Sequence, residues 1–388
     1  MKWLTLAALV AVGSTAVAAT QQSKIARNEA LETAMRFASA ITADPKDMSG
    51  AQADVVAEYV SLGNLDRAIE LADSVTLWRR GVVYADIANA LAQAGRKDDA
   101  QRMLQKAIEF RSGVEGWQGP RIDAHVAQVY ATLGETEKAR EMSRRLAESD
   151  RQYAGRDIAA EASGLAAQGE FDQALSHVSK RETKDPDIQE AWWSTASYIG
   201  LARQATAPRE KRLLALEKAR RSAAGIDGWK QAEALGSIAD TYRELEVKER
   251  AEEALGAAQS LIAALPDGEA AKPALLANLS RGFSKLGDKE RAAQLLTRAE
   301  PLVASSMDLA RAAVYANIGN SWQQLGRPAD ALRLYDQALD AAEGLVNARP
   351  RALSIVQVCR SLGRSGLELT PALRARLDRI FTGLKAPW

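Results

Sequence analysis

Two histidines, one cysteine and fifty carboxylates are the stock from which acid–base, nucleophilic or metal chemistry could be built in this chain. His125 and His177 stand far apart, and neither has a ligand motif around it. A zinc site draws on clustered nitrogen, sulfur or carboxylate ligands, and a serine–histidine–aspartate device needs its histidine placed by the fold. His125 adjoins Val126 on a helical stretch, so partial burial accounts for it. Cys359 ends the apolar run Ile355-Val356-Gln357-Val358 and reads as a small buried hydrophobe; being alone, it forms no intrachain disulfide. Residues 113–119 hold three glycines but follow a helix, not a strand, so they make no phosphate loop. Most carboxylates sit beside cations, as in Lys248-Glu249-Arg250 and Lys289-Glu290-Arg291, which is the pattern of a solvated helix face. The sequence predicts no catalytic residue, no metal and no cofactor.

What it does specify is a repeated element. A glycine is followed five residues later by an alanine in Gly63/Ala68, Gly95/Ala100, Gly134/Ala139, Gly169/Ala174, Gly287/Ala292 and Gly326/Ala331. Another copy keeps Ala251 but has Glu246 in place of glycine. Where neighbouring copies both keep the glycine, the glycines stand 32 to 39 residues apart, the mark of stacked helical hairpins. Eight before the glycine stand Ile87, Val126, Ile238, Leu279 and Ile318; seven before, Ala88, Ala127, Ala162, Ala239, Ser280 and Gly319; four before, Leu91, Tyr130, Leu165, Tyr242, Phe283 and Trp322. These offsets put large, small and large residues on one helical face. The glycine ends that first helix in a left-handed conformation. The second helix buries the alanine at +5 and, in four copies, another at +12: Ala107, Ala258, Ala299 and Ala338. Tryptophans Trp78, Trp117 and Trp229 precede the reference position by seventeen, where packing between repeats or stacking of a ligand would use them.

This constellation resembles the tetratricopeptide repeat over roughly residues 50 to 364, best in the eighth copy, from Ile318 through Gly326 to Ala331 and Ala338. The first copy departs from it at Val56, the sixth at Glu246, and the fifth has lost the glycine–alanine pair. The resemblance implies an all-α fold, a right-handed α-solenoid of eight to nine hairpins, whose first helices line a concave groove that holds a protein or extended peptide. Carried over by register, the groove residues are Asn89, Gln93, Arg121, Gln128, Arg156, Asp240, Arg243, Arg281, Lys285, Asn320, Gln323 and Gln324. Asparagine and glutamine rows can bond the backbone of an extended segment; an ordinary solvated surface is the other reading. The family's clamp for a C-terminal carboxylate needs a lysine ten before the glycine. Here that position is Ala53, Ala85, Ala124, Ala159, Gly236, Ala277 and Ala316, so recognition of that kind is not expected.

The ends complete the organisation. Lys2, the apolar run Trp3 to Val12 and the small residues Ala16-Val17-Ala18-Ala19 read as a secretory signal over 1–19. An N-terminal capping helix is expected within 20–49, the solenoid over 50–367, and a C-terminal cap and tail over 368–388, opened by Thr370 as N-cap and Pro371 at the first helical position. Charge is balanced, 51 basic against 50 acidic residues, which gives no footprint for nucleic acid or acidic membranes. The reading is a non-catalytic exported scaffold, periplasmic or otherwise secreted, binding a cell-envelope protein. A self-associating assembly component and an envelope enzyme subunit are the alternatives.

Overall fold

The structure, a computed structural model, describes residues 23–149, 162, 165–166, 169–182, 187–204 and 207–385. The expected signal falls outside them. Among the described residues all regular structure is helical, as the repeat predicts. The helices are α1 (23–39), α2 (Pro45–Ser61), α3 (Leu65–Ala72), α4 (Arg79–Gln93), α5 (Lys97–Ser112), α6 (Gln118–Thr132), α7 (Thr136–Ser149), α8 (Phe171–Arg181) and α9 (Ile188–Ala202). They continue as α10 (Arg209–Ala223), α11 (Gly228–Glu244), α12 (Lys248–Ala264), α13 (Lys272–Lys285), α14 (Lys289–Ala299), α15 (Asp308–Gln324), α16 (Pro328–Glu343), α17 (Ala348–Ser365) and α18 (Pro371–Thr382). The chain divides into two units: Gly63–Ser305, and Met1–Leu62 with Ser306–Trp388.

In the larger unit α4 pairs with α5, α6 with α7, α9 with α10, α11 with α12, and α13 with α14. First helices also pack on first helices, α4 on α6, α9 on α11 and α11 on α13. The predicted register is the buried one. The alanines at +5 and +12 are closed off from solvent, and so are the apolar residues eight and seven before the glycine. Tyr130 and Leu165 are only half-buried. The small residue at −7 meets the alanine at +5: Ser280 Oγ donates to the Ala292 carbonyl at 2.9 Å. The eighth hairpin, α15–α16 of the other unit, has Gly319 there, and a Cβ would lie 3.2 Å from the Ala331 carbonyl.

All six reference glycines are left-handed, with φ from 73° to 94°. Glu246 takes the same conformation at φ 59° without being a glycine. A left-handed residue with a Cβ costs roughly 1–2 kcal/mol, part of which is returned because glycine loses more entropy on folding. Glu246→Gly is therefore expected to stabilise the protein by about 1 kcal/mol, read as a higher urea midpoint with an unchanged slope.

A cation fifteen before Gly95, Gly287, Gly326 and Gly366 ties its helix to the connector that precedes it. Arg80 Nε donates to the Val75 carbonyl at 2.6 Å, and Lys272 Nζ to the Leu265 carbonyl at 2.6 Å. In the other unit Arg311 reaches the Ser306 carbonyl at 3.2 Å and Arg351 the Leu345 carbonyl at 2.7 Å. Carbonyls at the end of a helix lack intrahelical partners, and a cation there satisfies them. In the third hairpin this position is Gly119, and the Arg111 guanidinium fills the space, donating to the Val114 carbonyl at 2.8 Å.

The smaller unit brings α1 and α2 together with α15 to α18. The Asp44 carboxylate caps α2, accepting from the Lys46 and Asp47 N–H groups at 3.0 Å. Thr370 Oγ1 caps α18, accepting from Leu373 N–H at 3.2 Å. Helix α15 pairs with α16 and packs on α17, and α17 packs on α2. The helices expected to cap the array touch each other: Phe37 of α1 meets Phe381 of α18 edge-on at 5.2 Å, and Arg36 reaches Asp378 at 2.6 Å. Arg374 pairs with Glu29 at 2.9 Å. Helix α1 lies so close to α17 that a Cβ on Gly363 would fall 2.9 Å from Leu31 Cδ2. Between α17 and α2 the charges are complementary: Arg349–Asp44 at 2.6 Å, Arg360–Asp54 at 2.9 Å and Arg364–Glu58 at 2.7 Å.

Candidate protein-interaction surface

The face that would hold a partner is built by first helices lying side by side. From the N-cap along α4, residues 78, 82, 86, 89 and 93 recur at helical spacing; from the N-cap along α6, residues 117, 121, 125, 128 and 132 do the same. The two stripes meet rung by rung. Trp78 and Trp117 contact edge-on with centroids 5.6 Å apart. Arg121 stacks over both indoles, at 5.4 Å and 4.7 Å. His125 Nδ1 lies 2.6 Å from Asp86 Oδ1, and Asn89 Oδ1 accepts from Thr132 Oγ1 at 2.7 Å. Gln93 and Gln128 are exposed beside these rungs. Burial alone would lower the His125 pKa, but the bond to Asp86 and its charge outweigh that and raise it, against a smaller opposing effect of Arg121.

On the α11–α13 pair, Lys285 Nζ donates to Asp240 Oδ1 at 3.0 Å, and Arg243 lies 3.6 Å from the same oxygen. Arg281, half-buried, donates to Asn278 Oδ1 at 2.5 Å. Arg203 of α9 bonds Thr241 of α11 at 3.2 Å. The remaining expected residues lie on α15 in the smaller unit. Asn320 is buried there, 2% exposed, and accepts from Gln324 Nε2 at 3.4 Å. Gln323 is half-buried and Gln324 exposed. Arg156 lies outside the described residues.

Much of the row thus bonds one helix to the next. Partners stand 39 to 45 residues apart, about one repeat. Asp86, His125 and Thr132 belong to the surface and were not in the expected set. Their signal was the spacing of one repeat between residues able to bond each other.

The other candidate chemistry resolves simply. Cys359 is fully buried and burial pushes its thiol up to about 12, so it is no nucleophile at neutral pH. His177 lines a surface cleft along α8 with Asp172, Gln173, Ser176 and Lys180. Among the described residues no three His, Cys, Asp or Glu side chains gather as a metal site would require. No helix among them is long and apolar enough to cross a membrane.

Comparison with known proteins gives a partial family match. The tetratricopeptide-repeat family model matches residues 81–116 and 311–350, the second and eighth hairpins. No curated protein matches the chain. Among solved structures, Ton1535 from Thermococcus onnurineus NA1 is 13% identical, with 81% of this chain and 91% of that chain covered and a TM-score of 0.30. The Rap protein complexed with competence and sporulation factor is 14% identical over 83% and 98%, with a TM-score of 0.28. The APC/C hetero-tetramer Cut9-Hcn1 is 15% identical over 87% and 77%, also at 0.28. The family matches support tetratricopeptide-type repeats in the second and eighth hairpins, within an all-helical array.

Proposed function

We propose that the chain is an exported, non-catalytic scaffold that holds an extended segment of a cell-envelope protein against its first helices. The observation that carries this reading is the α4–α6 surface, where paired first helices set exposed Gln93 and Gln128 beside a fixed ladder of bonded side chains. Rigid helices that present amide side chains suit the backbone of an extended peptide. Contact of α1 with α18 and of α2 with α17 weighs against the self-association alternative, since these helices cover one another within the smaller unit.

A photo-crosslinking residue placed at Gln93 or Gln128 tests the reading. Both positions are expected to give the same protein adduct from the envelope fraction, while the exposed second-helix position Arg102 gives none. No adduct from either, or an equal one from Arg102, would remove the surface assignment. Export is tested separately by the mature N-terminus, expected just after Ala18 or Ala19.

A further inference from the structure

We propose that Asp86 and His125 form a proton-operated clip between the second and third hairpins: with the imidazole protonated the two are an ion pair that holds α4 against α6, and loss of that proton loosens this one joint of the array. The clip itself does not depend on the scaffold reading; only its consequence for binding does. Its first support is geometry. His125 Nδ1 lies 2.6 Å from Asp86 Oδ1, across the contact of two first helices and 39 residues of sequence. A separation that short suits a charged donor on a charged acceptor. The two side chains are 39% and 44% exposed, so a proton reaches the ring from water without any opening of the fold.

The second support is the company the pair keeps. The other rungs of the α4–α6 ladder are the indoles of Trp78 and Trp117, the Arg121 guanidinium over them and the Asn89–Thr132 bond. None of these residue types changes charge between about pH 5 and 8, where histidine does. The α11–α13 joint is tied by a lysine and an aspartate, Lys285 and Asp240, to which the same rule applies. The chain has two histidines, and the other, His177, lines the cleft along α8.

The third support is the balance of charge around the ring. Burial lowers the His125 pKa, but the bond to Asp86 of α4 and its charge raise it by more, against the smaller repulsion of Arg121 on the same helix. The charges that α5 and α7 bring to α6 fall on other residues: Arg111 pairs with Asp123 at 2.9 Å, Arg145 acts on the same carboxylate, and Lys138 lies over Tyr130. A histidine whose folded pKa is raised contributes all of its stabilisation below the unfolded value of about 6.5, and loses it as pH rises through the folded value. Gln93 and Gln128 stand on the same two helices, so on the scaffold reading this proton also sets how firmly the partner surface is held together.

The test is hydrogen–deuterium exchange of the full chain without a partner, between about pH 5 and 8 and corrected for intrinsic rates. Protection of the α4 and α6 amides is expected to fall about two- to fivefold as pH rises, the scale of a half-exposed ion pair, while the α11 and α13 amides keep theirs. Asp86→Asn and His125→Gln are each expected to remove the dependence. The second keeps a hydrogen-bond donor at the site, so it reports the charge and not the loss of a contact. A flat profile in the parent chain, an equal fall in α11 and α13, or a fall that persists in either variant would overturn the proposal. No partner is present in this measurement, so its failure leaves the crosslinks at Gln93 and Gln128 to test the scaffold reading by themselves.

Discussion

Phe37→Ala is expected to destabilise the smaller unit by about 3–5 kcal/mol, the usual cost of emptying a buried aromatic site. Phe37 is wholly buried on α1 and meets Phe381 edge-on, and the Arg36 guanidinium stands 4.4 Å over the Phe381 ring. Neighbouring Gly363 already lets α1 approach α17 as closely as side chains permit, so the helix has little room to settle into a cavity. Urea unfolding followed by helical circular dichroism measures the change. A loss under about 1 kcal/mol would mean that the first and last helices are not part of one cooperative core.

The second large effect is electrostatic. Glu58 is buried, with its side chain 5% exposed, and serves Arg364 at 2.7 Å and Arg360 at 3.5 Å. Removing one partner of a fully buried pair costs about 3–5 kcal/mol. The arginines are 33% and 17% exposed, so water recovers part of that loss and Glu58→Ala should cost about 2–3 kcal/mol. A double-mutant cycle with Arg364→Met isolates the pair: the two losses should fall short of additivity by about 1 kcal/mol or more. Simple additivity would show that the charges do not interact across the contact between α2 and α17.

The hairpins were legible because their grammar is local. A glycine that must be left-handed and an alanine that must sit at a helix crossing constrain residue type wherever they recur, so periodicity exposed them. The same grammar foretold Thr370 and Pro371 at the start of α18. Glu246 shows its limit: the backbone requirement held while the residue that normally signals it was absent. The cation fifteen before the glycine was equally regular in Arg80, Lys272, Arg311 and Arg351, but its purpose appears only once the carbonyls it reaches are in view.

Pairing between distant segments was harder to read. The expected groove row follows register, and register cannot say whether a polar side chain faces a partner or the next helix. Asp240 and Lys285 bond each other, and Asn320 is buried. Contact between the chain's ends left a trace in the sequence, acidic Asp44, Asp54 and Glu58 against basic Arg349, Arg360 and Arg364, but balanced overall charge concealed it.

That end-to-end contact bears on how the chain assembles. Arg27 reaches the Arg364 carbonyl at 3.1 Å across 337 residues of sequence. Bringing such distant points together in a slack polymer is entropically expensive, and the cost shrinks once the intervening helices are stiff. Latching of α1 onto α17 is therefore a late event, one that waits until the helices between them have been made and have stiffened.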